Sequence, residues 1–487
     1  MRFYIFLILL LWMSFGYSQV GINTANPHTS AALDIQSGNG SKGILIPRMT
    51  SLERNSISNP AESLLVFDLT EKAFYYYNTS TITWIKLSGD ISIKRDNFKI
   101  IKSAADLAPE LAAGSGSSYL LDSNKYYEIN GTITLNFPIN LNDAYVSGLD
   151  ANEDILSFPG GTVFRGNAGG SIRNVTITGA RAFEITGPGA SSNTSLLIQN
   201  TVVQNASTSV GIISGLGLYF GNIVNFINNA NGITYSNIGN LLLNTQAWPD
   251  SNNGTFETFT GAFGHIQKAS GFSTVNGTDI ALDVSNSLNV GTGILQGTVF
   301  SGTTSATSGI IKGYTGTYPG YYFSNAWTVD APGISRESDD AATGDINLSA
   351  AVGTGFTTTF TATGTTGRKK ISGTTTSNNL FRFTRDGDNI ITYRGNKTRY
   401  FQVAGSVSYQ GNNDLTVILY IAKNGLVINE TKVYGKGTTG LFTTSGILAL
   451  PIVGTVQLKK DDYIEIWAER YDGTGNMQTV SLNLTAR

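Results

Sequence analysis

Five carboxylates in the middle of the chain are the residues best suited to hydrolytic chemistry. Glycoside hydrolysis needs two carboxyl groups about 5 to 9.5 Å apart, flanking the bond to be broken. Asp279 and Asp283 would lie on the same face of a strand, because they are an even number of residues apart. At about 3.3 Å per residue they would be about 13 Å apart, which is too far for this chemistry. The remaining candidates are Glu184, Asp250 and Glu257. Neighbouring strands could still bring two carboxylates together, so the sequence argues against catalysis without forbidding it.

Metal-dependent and nucleophilic chemistry has weaker candidates. The chain has no cysteine, and its two histidines, His28 and His265, lack the spacing of metal ligands. No G-x-S-x-G nucleophile elbow is present. Asp339, Asp340 and Asp345 lie close together without the ligand spacing of a calcium loop, which favours a solvated turn. We therefore predict no catalytic residue, no metal and no cofactor.

Aromatic and basic side chains are better placed to bind a ligand than to catalyse. Tyrosine and tryptophan rings can stack on sugars, and basic side chains can pair with acidic glycans. The same residues could equally pack in a core or lie on a solvated face. The predicted glycan-binding residues are Tyr219, Trp248, Tyr321, Tyr322, Trp327, Arg394, Lys397 and Arg399, with Tyr314, Tyr318, Arg382 and Arg385 in the same aromatic and basic groups.

The composition limits the partners and the compartment. Charged residues make up 14% of the 487 residues, and the net charge of −2 gives no global attraction for nucleic acid. Without cysteine there are no disulfides, so stability must come from a long core or from oligomerisation. A chain of this length is expected to form two to four units.

Residues 1–18 are typical of a secretory signal peptide. Met1-Arg2 precedes the uncharged run Phe3 to Met13, and small residues precede the cleavage expected before Gln19. The run is shorter than the about 20 apolar residues that span a bilayer. We expect an exported chain without a stable membrane span after cleavage. A retained N-terminal anchor is the alternative.

Residues 19–90 contain the most specific local pattern. Its landmarks, in chain order, are VGINTANP, LDI, KGILIPRMT, ERNSISNPA, LLV, FYYYN and Trp84. Ser51 could cap a short helix. The pattern resembles an N-terminal module of exported and phage-associated proteins of the Bacteroidetes, which implies attachment or anchoring. The run Phe74 to Tyr77 and Trp84 could bind a glycan or form the core of a small domain.

Residues 91–330 show short β runs at solenoid-like spacing. After a capped helix predicted for Ser103 to Ala112, residues 91–159 resemble the start and cap of a right-handed parallel β-helix, and residues 160–330 its shaft. Successive runs start roughly 15 to 40 residues apart. Asn174, Asn200 and Asn240 are predicted at coil corners, where asparagines can form ladders. An antiparallel sandwich is the alternative.

The C-terminal part is predicted to be a neck, residues 331–379, and a jelly-roll head, residues 380–487. Alternating strands, an Asn424-Gly425 hairpin and the pattern L-K-D-YIE-W resemble trimeric jelly-roll heads of tumour-necrosis-factor-like and complement-like domains and of phage fibre tips. The apolar run Ile447 to Val456 could pack between chains. A monomeric sandwich is the alternative.

The sequence as a whole predicts an all-β protein: a small β-rich module, a right-handed parallel β-helix and an antiparallel jelly-roll sandwich. We predict a non-enzymatic, homotrimeric attachment or receptor-binding protein, secreted or on a Bacteroidetes cell surface, or in a phage virion. Its expected partner is a surface glycan or a cell-surface receptor, not nucleic acid. The alternatives are a secreted polysaccharide lyase or glycoside hydrolase, and a purely structural shaft.

Overall fold

A computed structural model describes residues 19–38, 40–87, 97–437 and 446–487. The described chain is all-β, with a solenoid of about nine turns and sandwich sheets at the C-terminus, as predicted. It divides into two compact units, residues 1–95 and 96–487. The predicted signal peptide lies outside the described residues. Within these residues, no helix has the length and apolar character needed to cross a membrane.

The first unit consists of short strands and one helical turn. A parallel pair, β1 with β2, is followed by a four-stranded sheet in the order β3-β4-β5-β6. The elements are β1 (Val20–Ile22), β2 (Leu33–Ile35), β3 (Arg48–Met49), α1 (Ser51–Asn55), β4 (Leu65–Asp68), β5 (Ala73–Asn78) and β6 (Thr83–Lys86).

Helix α1 and its N-cap each lie one residue earlier than predicted. Thr50, not Ser51, is the N-cap: its hydroxyl accepts a hydrogen bond from the Glu53 amide, and the Glu53 carboxylate accepts one from the Thr50 amide. This reciprocal pair satisfies two amides that the first helical turn leaves without partners. Thr50 and Glu53 have the T--E spacing of a capping box, which the prediction of Ser51 overlooked.

The aromatic landmarks of the first unit pack around Arg54. Its guanidinium lies 3.9 Å from the ring centre of Tyr75 and 6.0 Å from that of Trp84. Arg54 Nη1 also lies 3.0 Å from Oδ2 of the fully buried Asp68. These contacts hold the helix against the sheet, which favours the packing interpretation for Tyr75 and Trp84.

The solenoid is made of parallel strands arranged on three faces, and each coil pairs with the next. Tyr126 pairs with Tyr145 and Leu295 with Val329, so a coil takes 19 to 34 residues. Ser103 and Asp106 cap the short helical segment at its start, as predicted, through a hydrogen bond of 2.8 Å from the Ser103 amide. Parallel pairing excludes the antiparallel alternative for this region.

Face A contains the first and last strands of the solenoid. Its strands are β7 (Phe98–Ile101), β9 (Tyr126–Ile129), β12 (Tyr145–Ser147), β14 (Gly170–Arg173), the first parts of β16 (Ser195–Gln204), β18 (Leu218–Ile227), β20 (Asn240–Trp248) and β22 (Ala262–Val275), then β24 (Asn289–Gln296) and β27 (Trp327–Asp330).

Face B follows face A around a corner of each coil. It contains β10 (Thr132–Thr134), the first parts of β13 (Ile155–Gly166) and β15 (Thr176–Thr186), the last parts of β16, β18, β20 and β22, and β25 (Val299–Gly302).

Face C closes each coil. It contains β8 (Tyr119–Leu120), β11 (Ile139–Asn140), the last parts of β13 and β15, β17 (Ser209–Ser214), β19 (Ile233–Ser236), β21 (Thr255–Thr260), β23 (Ile280–Asp283) and β26 (Ile311–Lys312). The helical segment consists of a 3₁₀ turn, Ala104–Leu107, and α2 (Ala108–Ala113).

A backbone corner between faces A and B repeats from coil to coil. Asn174 and Asn200 have φ of +52° and +48°, and Asn200 Nδ2 donates to Asn174 Oδ1 at 3.2 Å. Asparagine tolerates this left-handed conformation, which explains the predicted ladder at these two positions. Ile223 occupies the next corner with φ +54°. The prediction for Asn240 is wrong, since it begins strand β20 and is exposed.

A second asparagine ladder, which the sequence did not predict, is buried between faces B and C. Asn229 Nδ2 donates to Asn252 Oδ1 at 2.9 Å, and each side chain also donates to a backbone carbonyl of the previous coil. Both side chains are buried, so these bonds satisfy polar groups that water cannot reach.

The C-terminal sandwich consists of two antiparallel sheets. One has the order β28-β39-β33-β37, with β29 also paired to β39. The other has the order β31-β32-β38-β34-β35, with β30 and β36 paired to β38 and β34. The strands are β28 (Gly344–Ser349), β29 (Phe356–Thr358), β30 (Lys369–Lys370), β31 (Phe383–Gly387), β32 (Ile390–Tyr393), β33 (Arg399–Gln410), β34 (Thr416–Lys423), β35 (Leu426–Val427), β36 (Val433–Lys436), β37 (Leu448–Leu458), β38 (Tyr463–Asp472) and β39 (Met477–Ala486). Three 3₁₀ turns complete this region: Asp339–Ala341, Thr365–Gly367 and Asn429–Thr431.

The segment predicted as a neck is part of this sandwich. Strand β28 pairs along its whole length with β39, and β29 and β30 also join the sheets. The Gly- and Thr-rich composition suggested a linker, but pairing with distant strands decides the structure of such a segment. The Asn424-Gly425 hairpin is confirmed, with both residues at positive φ between paired Lys423 and Leu426.

The apolar run Ile447 to Val456 alternates between the core and the surface. Ile452 and Val456 are buried, whereas Ile447 and Val453 are exposed. Alternation is the normal property of a strand with one buried face. Only half of this run is therefore available for packing between chains.

We predict that replacing Ile223 by asparagine stabilises the solenoid. A β-branched residue in the left-handed region costs roughly 1–2 kcal/mol, which asparagine largely avoids. The midpoint of thermal unfolding should rise, by the equivalent of about 1 kcal/mol. Ile227→Asn is the matched control, because Ile227 is also an exposed isoleucine of β18 and is absent from the positive-φ residues. An equal or smaller effect of Ile223→Asn would contradict the strain argument.

Candidate functional site

The last coil of the solenoid is fastened to the sandwich by a buried arginine. Arg382 Nη1 donates to Asp339 Oδ1, and Arg382 Nη2 donates to the Trp327 carbonyl at 2.6 Å. Asp339 Oδ2 also accepts hydrogen bonds from the amides of Asn396 and Lys397, at 3.0 and 2.7 Å. The Arg382 guanidinium and the Asp339 carboxylate are both buried, so each neutralises the charge that the other has lost the water to stabilise.

Glu337 is a second buried carboxylate at this junction. Its Oε1 and Oε2 accept hydrogen bonds from the amides of Tyr322 and Phe323, at 2.7 and 3.0 Å. Burial raises the pKa of Glu337 to about 7, although the two amides and the nearby Arg382 act in the opposite direction. The carboxyl group therefore changes charge near neutral pH.

A cleft opens beside these buried groups. A cavity of about 710 Å³ and a neighbouring one of about 380 Å³ lie between the loop that follows β26 and the start of the sandwich. Tyr321 stacks on Phe381 in the wall, with ring centres 3.9 Å apart. The lining of the larger cavity includes Tyr314, Thr317, Tyr318, Pro319, Asn325, Ser377, Leu380, Thr384 and Arg385. Rings, hydroxyls and one cation together suit a polar ligand with apolar patches, such as a sugar.

Three of the predicted glycan-binding residues are core residues. Tyr219, Trp248 and Trp327 are at most 2% exposed, and Trp248 stacks on Phe256 with ring centres 4.5 Å apart. Their side chains point into the solenoid, so they cannot present a ring face to a ligand. The placement of these three on a binding surface is corrected. Tyr321 lines the smaller cavity and Tyr322 is half-buried.

The predicted basic cluster takes part in structural contacts. Arg394 pairs with Asp386 and Asp461, and the Arg399 guanidinium donates to the Asp339 carbonyl. Lys397 is exposed, and its backbone carbonyl accepts a hydrogen bond from the Tyr393 hydroxyl at 2.9 Å. Of these three, Lys397 is the one whose side chain is directed to solvent.

Four of the five carboxylates considered for hydrolysis pair with a cation or an amide. Lys268 Nζ lies 3.0 Å from Oε1 of Glu257 inside the solenoid, where burial raises the pKa of Glu257 despite the lysine. Glu184 pairs with Arg165, and Asp283 with Lys312. Asp279 Oδ1 accepts the Gly254 amide, and the exposed Asp250 contributes its backbone carbonyl to Asn276. The neighbouring coil therefore brings a cation to Glu184 and Asp283, whereas Glu257 pairs with a lysine of its own coil and Asp279 accepts an amide.

The acidic group Asp339, Asp340 and Asp345 is not the solvated turn that was predicted. Asp339 and Asp345 are buried, and Asp345 Oδ1 accepts the amides of Asn378 and Asn379. In the described part of the chain, no group of three or more histidine or acidic side chains could hold a metal ion.

The sequence offered little signal for the junction residues. Asn325 Nδ2 donates to the Arg394 carbonyl, and Asn396 Nδ2 donates to the Asn325 carbonyl, across about seventy residues of chain. Glu337 and Leu380 likewise acquire their surroundings from distant segments. The signals in the sequence that indicated a site here were the tyrosines between residues 314 and 322 and the basic residues between 382 and 399.

The comparisons with known proteins identify one segment of the chain. A family model described as a phage tail like trimerisation region matches residues 21–102. No curated protein matches the chain. A solved structure described as Eiger TNF from S. frugiperda is similar at 9% identity, over 30% of this chain and 92% of that chain, with a TM-score of 0.20, too low to bear on function. The family match supports a trimeric, phage-tail-like structural role.

We predict that Arg382→Met destabilises the second unit by about 3–5 kcal/mol, because it leaves the buried Asp339 without its cation. Arg385→Met is the control, because Arg385 is a more exposed arginine whose Nη1 lies 3.6 Å from Asp388 Oδ1. An exposed ion pair of this kind contributes about 0–1 kcal/mol to the free energy of unfolding. Denaturant unfolding of both variants tests the difference. Equal destabilisation would show that the Arg382 pair does not hold the junction.

We predict that the second unit becomes less stable as the pH rises from about 4.5 through about 7. The pKa of Glu337 is raised in the folded state, so the folded state binds the proton more tightly and loses this advantage as the carboxyl ionises. Glu337→Gln, which stays neutral, should flatten the pH dependence in this range. Unfolding measured at pH 5 and pH 8 tests this. A variant with the same pH dependence as the natural chain would contradict the assignment.

Proposed function

We propose that the protein is a homotrimeric, fibre-like attachment protein of a Bacteroidetes cell surface or of a phage virion. The trimerisation-region match and the solenoid fold support the trimeric structural part of this proposal. The resemblance of residues 19–90 to the Bacteroidetes module supports the source, and the N-terminal residues support export.

The observation that carries the proposal is the nearly absent core of the first unit. Among residues 19–38 and 40–87, only Arg54, Val66 and Asp68 are buried. A unit of this size needs a core or partner chains to be stable. Its exposed large apolar residues are Val20, Ile22, Leu33, Ile44, Leu45, Leu52, Leu64, Leu69, Phe74, Ile82 and Leu87. Copies of the same chain would cover these side chains.

The ligand-binding part of the proposal concerns the cleft in the second unit. Tyr318 and Tyr321 supply rings, and Asn325, Thr384 and Arg385 supply polar groups at its edges. Surface glycans combine apolar ring faces with hydroxyls, which such a lining recognises. Three copies would multiply a weak affinity through avidity when the target surface carries many glycans.

Light scattering coupled to size-exclusion chromatography tests the trimer. The whole exported chain should have about three times the mass of one chain, which is 51.9 kDa before any cleavage. A monomer at micromolar concentration would overturn the proposal.

A panel of bacterial and algal polysaccharides tests attachment against catalysis. We expect binding without release of reducing sugar. If the cleft is the site, combining Arg385→Met with Tyr318→Ala should weaken binding by at least about tenfold. Tyr434→Ala is the control, since Tyr434 is an exposed tyrosine of β36 and is not among the lining residues of the cleft. Release of reducing sugar would support the enzyme alternative instead.

A further inference from the structure

We propose that face A of the solenoid is the surface on which three copies of this chain pack along the shaft. This inference rests on the proposed trimer and goes beyond it, because the family match ends at residue 102 and covers only the first strand of the solenoid. The partner is therefore a second and third copy of the same chain, packed through the coils that follow.

A row of outward side chains on face A carries this inference. Strand register places one residue of each coil directly above the one before, from Phe98 to Thr328. Seven of the ten are apolar or aromatic. In chain order the row is Phe98, Tyr126, Tyr145, Ser171, Leu197, Phe220, Leu242, Gln267, Ile294 and Thr328.

The side chains of this row are half-buried or exposed within one chain, except Ser171. Tyr145 is 51% exposed, and Phe98 stacks on Tyr126 with ring centres 5.8 Å apart. Phe220, Leu242 and Gln267 line a shallow depression of about 250 Å³ on the same face. A row in which seven of ten members are apolar or aromatic, on a surface of otherwise polar composition, indicates an interaction surface.

The row beside it is mostly neutral and polar. Asn244 Nδ2 donates to Asn222 Oδ1 at 2.7 Å, and these side chains follow Gln199 in register. The charged members of this second row are Glu128 and Arg173 near its start and Asp330 at its end. Protein interfaces usually have an apolar centre and a polar rim. The apolar row on face A fits such a centre, and the mostly neutral polar row beside it fits such a rim.

The other two faces fit this role less well. Face C carries two ion pairs, Arg165 with Glu184 and Lys312 with Asp283. Packing another chain on this face would remove water from these charges, and that desolvation is costly. On face B, Phe272 and Val299 are exposed, but their row has eight members against ten on face A. Within it, Asn225 is polar, and the Thr176 hydroxyl donates to the Ala151 carbonyl.

The position of face A within the chain supports the identity of the partner. Strand β7, the first of face A, lies inside the segment matched by the trimerisation model, and both its outward residues, Phe98 and Ile100, are exposed. The matched segment therefore includes the first strand of face A, and the row continues from that strand in register. Ten strands spaced about 4.8 Å apart give a face about 43 Å long, and four residues of about 3.3 Å each give it a width of about 13 Å. The area is on the order of 600 Å² per chain. This approaches the about 800 Å² that each partner contributes to a standard interface.

Single-cysteine cross-linking tests the proposal, because the natural chain has no cysteine. Tyr145→Cys places a thiol on the face A row, and Gln267→Cys does so without removing an apolar side chain. Ile212→Cys on face C is the matched control, since Ile212 is 46% exposed, and Phe272→Cys probes face B. Under oxidant, we expect disulfide-linked dimer from both face A variants, at least about tenfold more than from the other two.

The outcomes separate this proposal from the trimer itself. A trimer by light scattering that cross-links through face A supports the assignment. If the trimer forms and cross-links through Ile212→Cys or Phe272→Cys instead, or through neither face A variant, the assignment is overturned while the trimeric function stands. A variant is counted only if its unfolding midpoint equals that of the natural chain, and a monomeric chain would overturn both proposals.

Discussion

The parallel register between successive coils is the constraint on which the second unit depends. Because each coil pairs strand to strand with the next, every side chain is repeated above a neighbour of the same orientation. An inward position such as Ile172 must therefore be apolar over Ile198, and a corner such as Asn174 must suit the conformation repeated at Asn200. The charged residues Lys268 and Glu257 enter the interior as a pair.

The same register arranges the outer surface in rows. On face C these rows place charges of opposite sign on neighbouring coils, whereas on face A they place rings and aliphatic side chains one above another. A single solenoid can therefore present chemically different faces along its length. The sandwich is joined to the last coil by a buried ion pair, and removing either partner would leave an uncompensated buried charge.

The first unit depends on a different source of stability. Its helix cap and its arginine–aromatic cluster are local contacts, and they bury few side chains within one chain. The exposed apolar residues remain unpaired unless copies of the chain associate. Folding of this unit and assembly are therefore expected to be coupled, as in other small units that lack a core of their own.

The sequence by itself determined the elements whose physics is local. Alternating side chains and turn residues indicated strands, Ser103 and Asp106 indicated the cap of the helical segment at the start of the solenoid, and Asn424-Gly425 specified a hairpin. Each of these depends on residues a few positions apart. The recurring runs also identified a solenoid from their spacing.

Only the tertiary structure decided which side of each strand faces inward and which distant segments meet. Tyr219, Trp248 and Trp327 proved to be core residues because the phase of each coil depends on the register with its neighbours. The segment 331–379 joined the sandwich because strand β28 has its partner at the other end of that region. Arg382, Asp339 and Glu337 meet for the same reason: long-range packing gives a charged residue its partner and its pKa, and neither is encoded in neighbouring positions of the sequence.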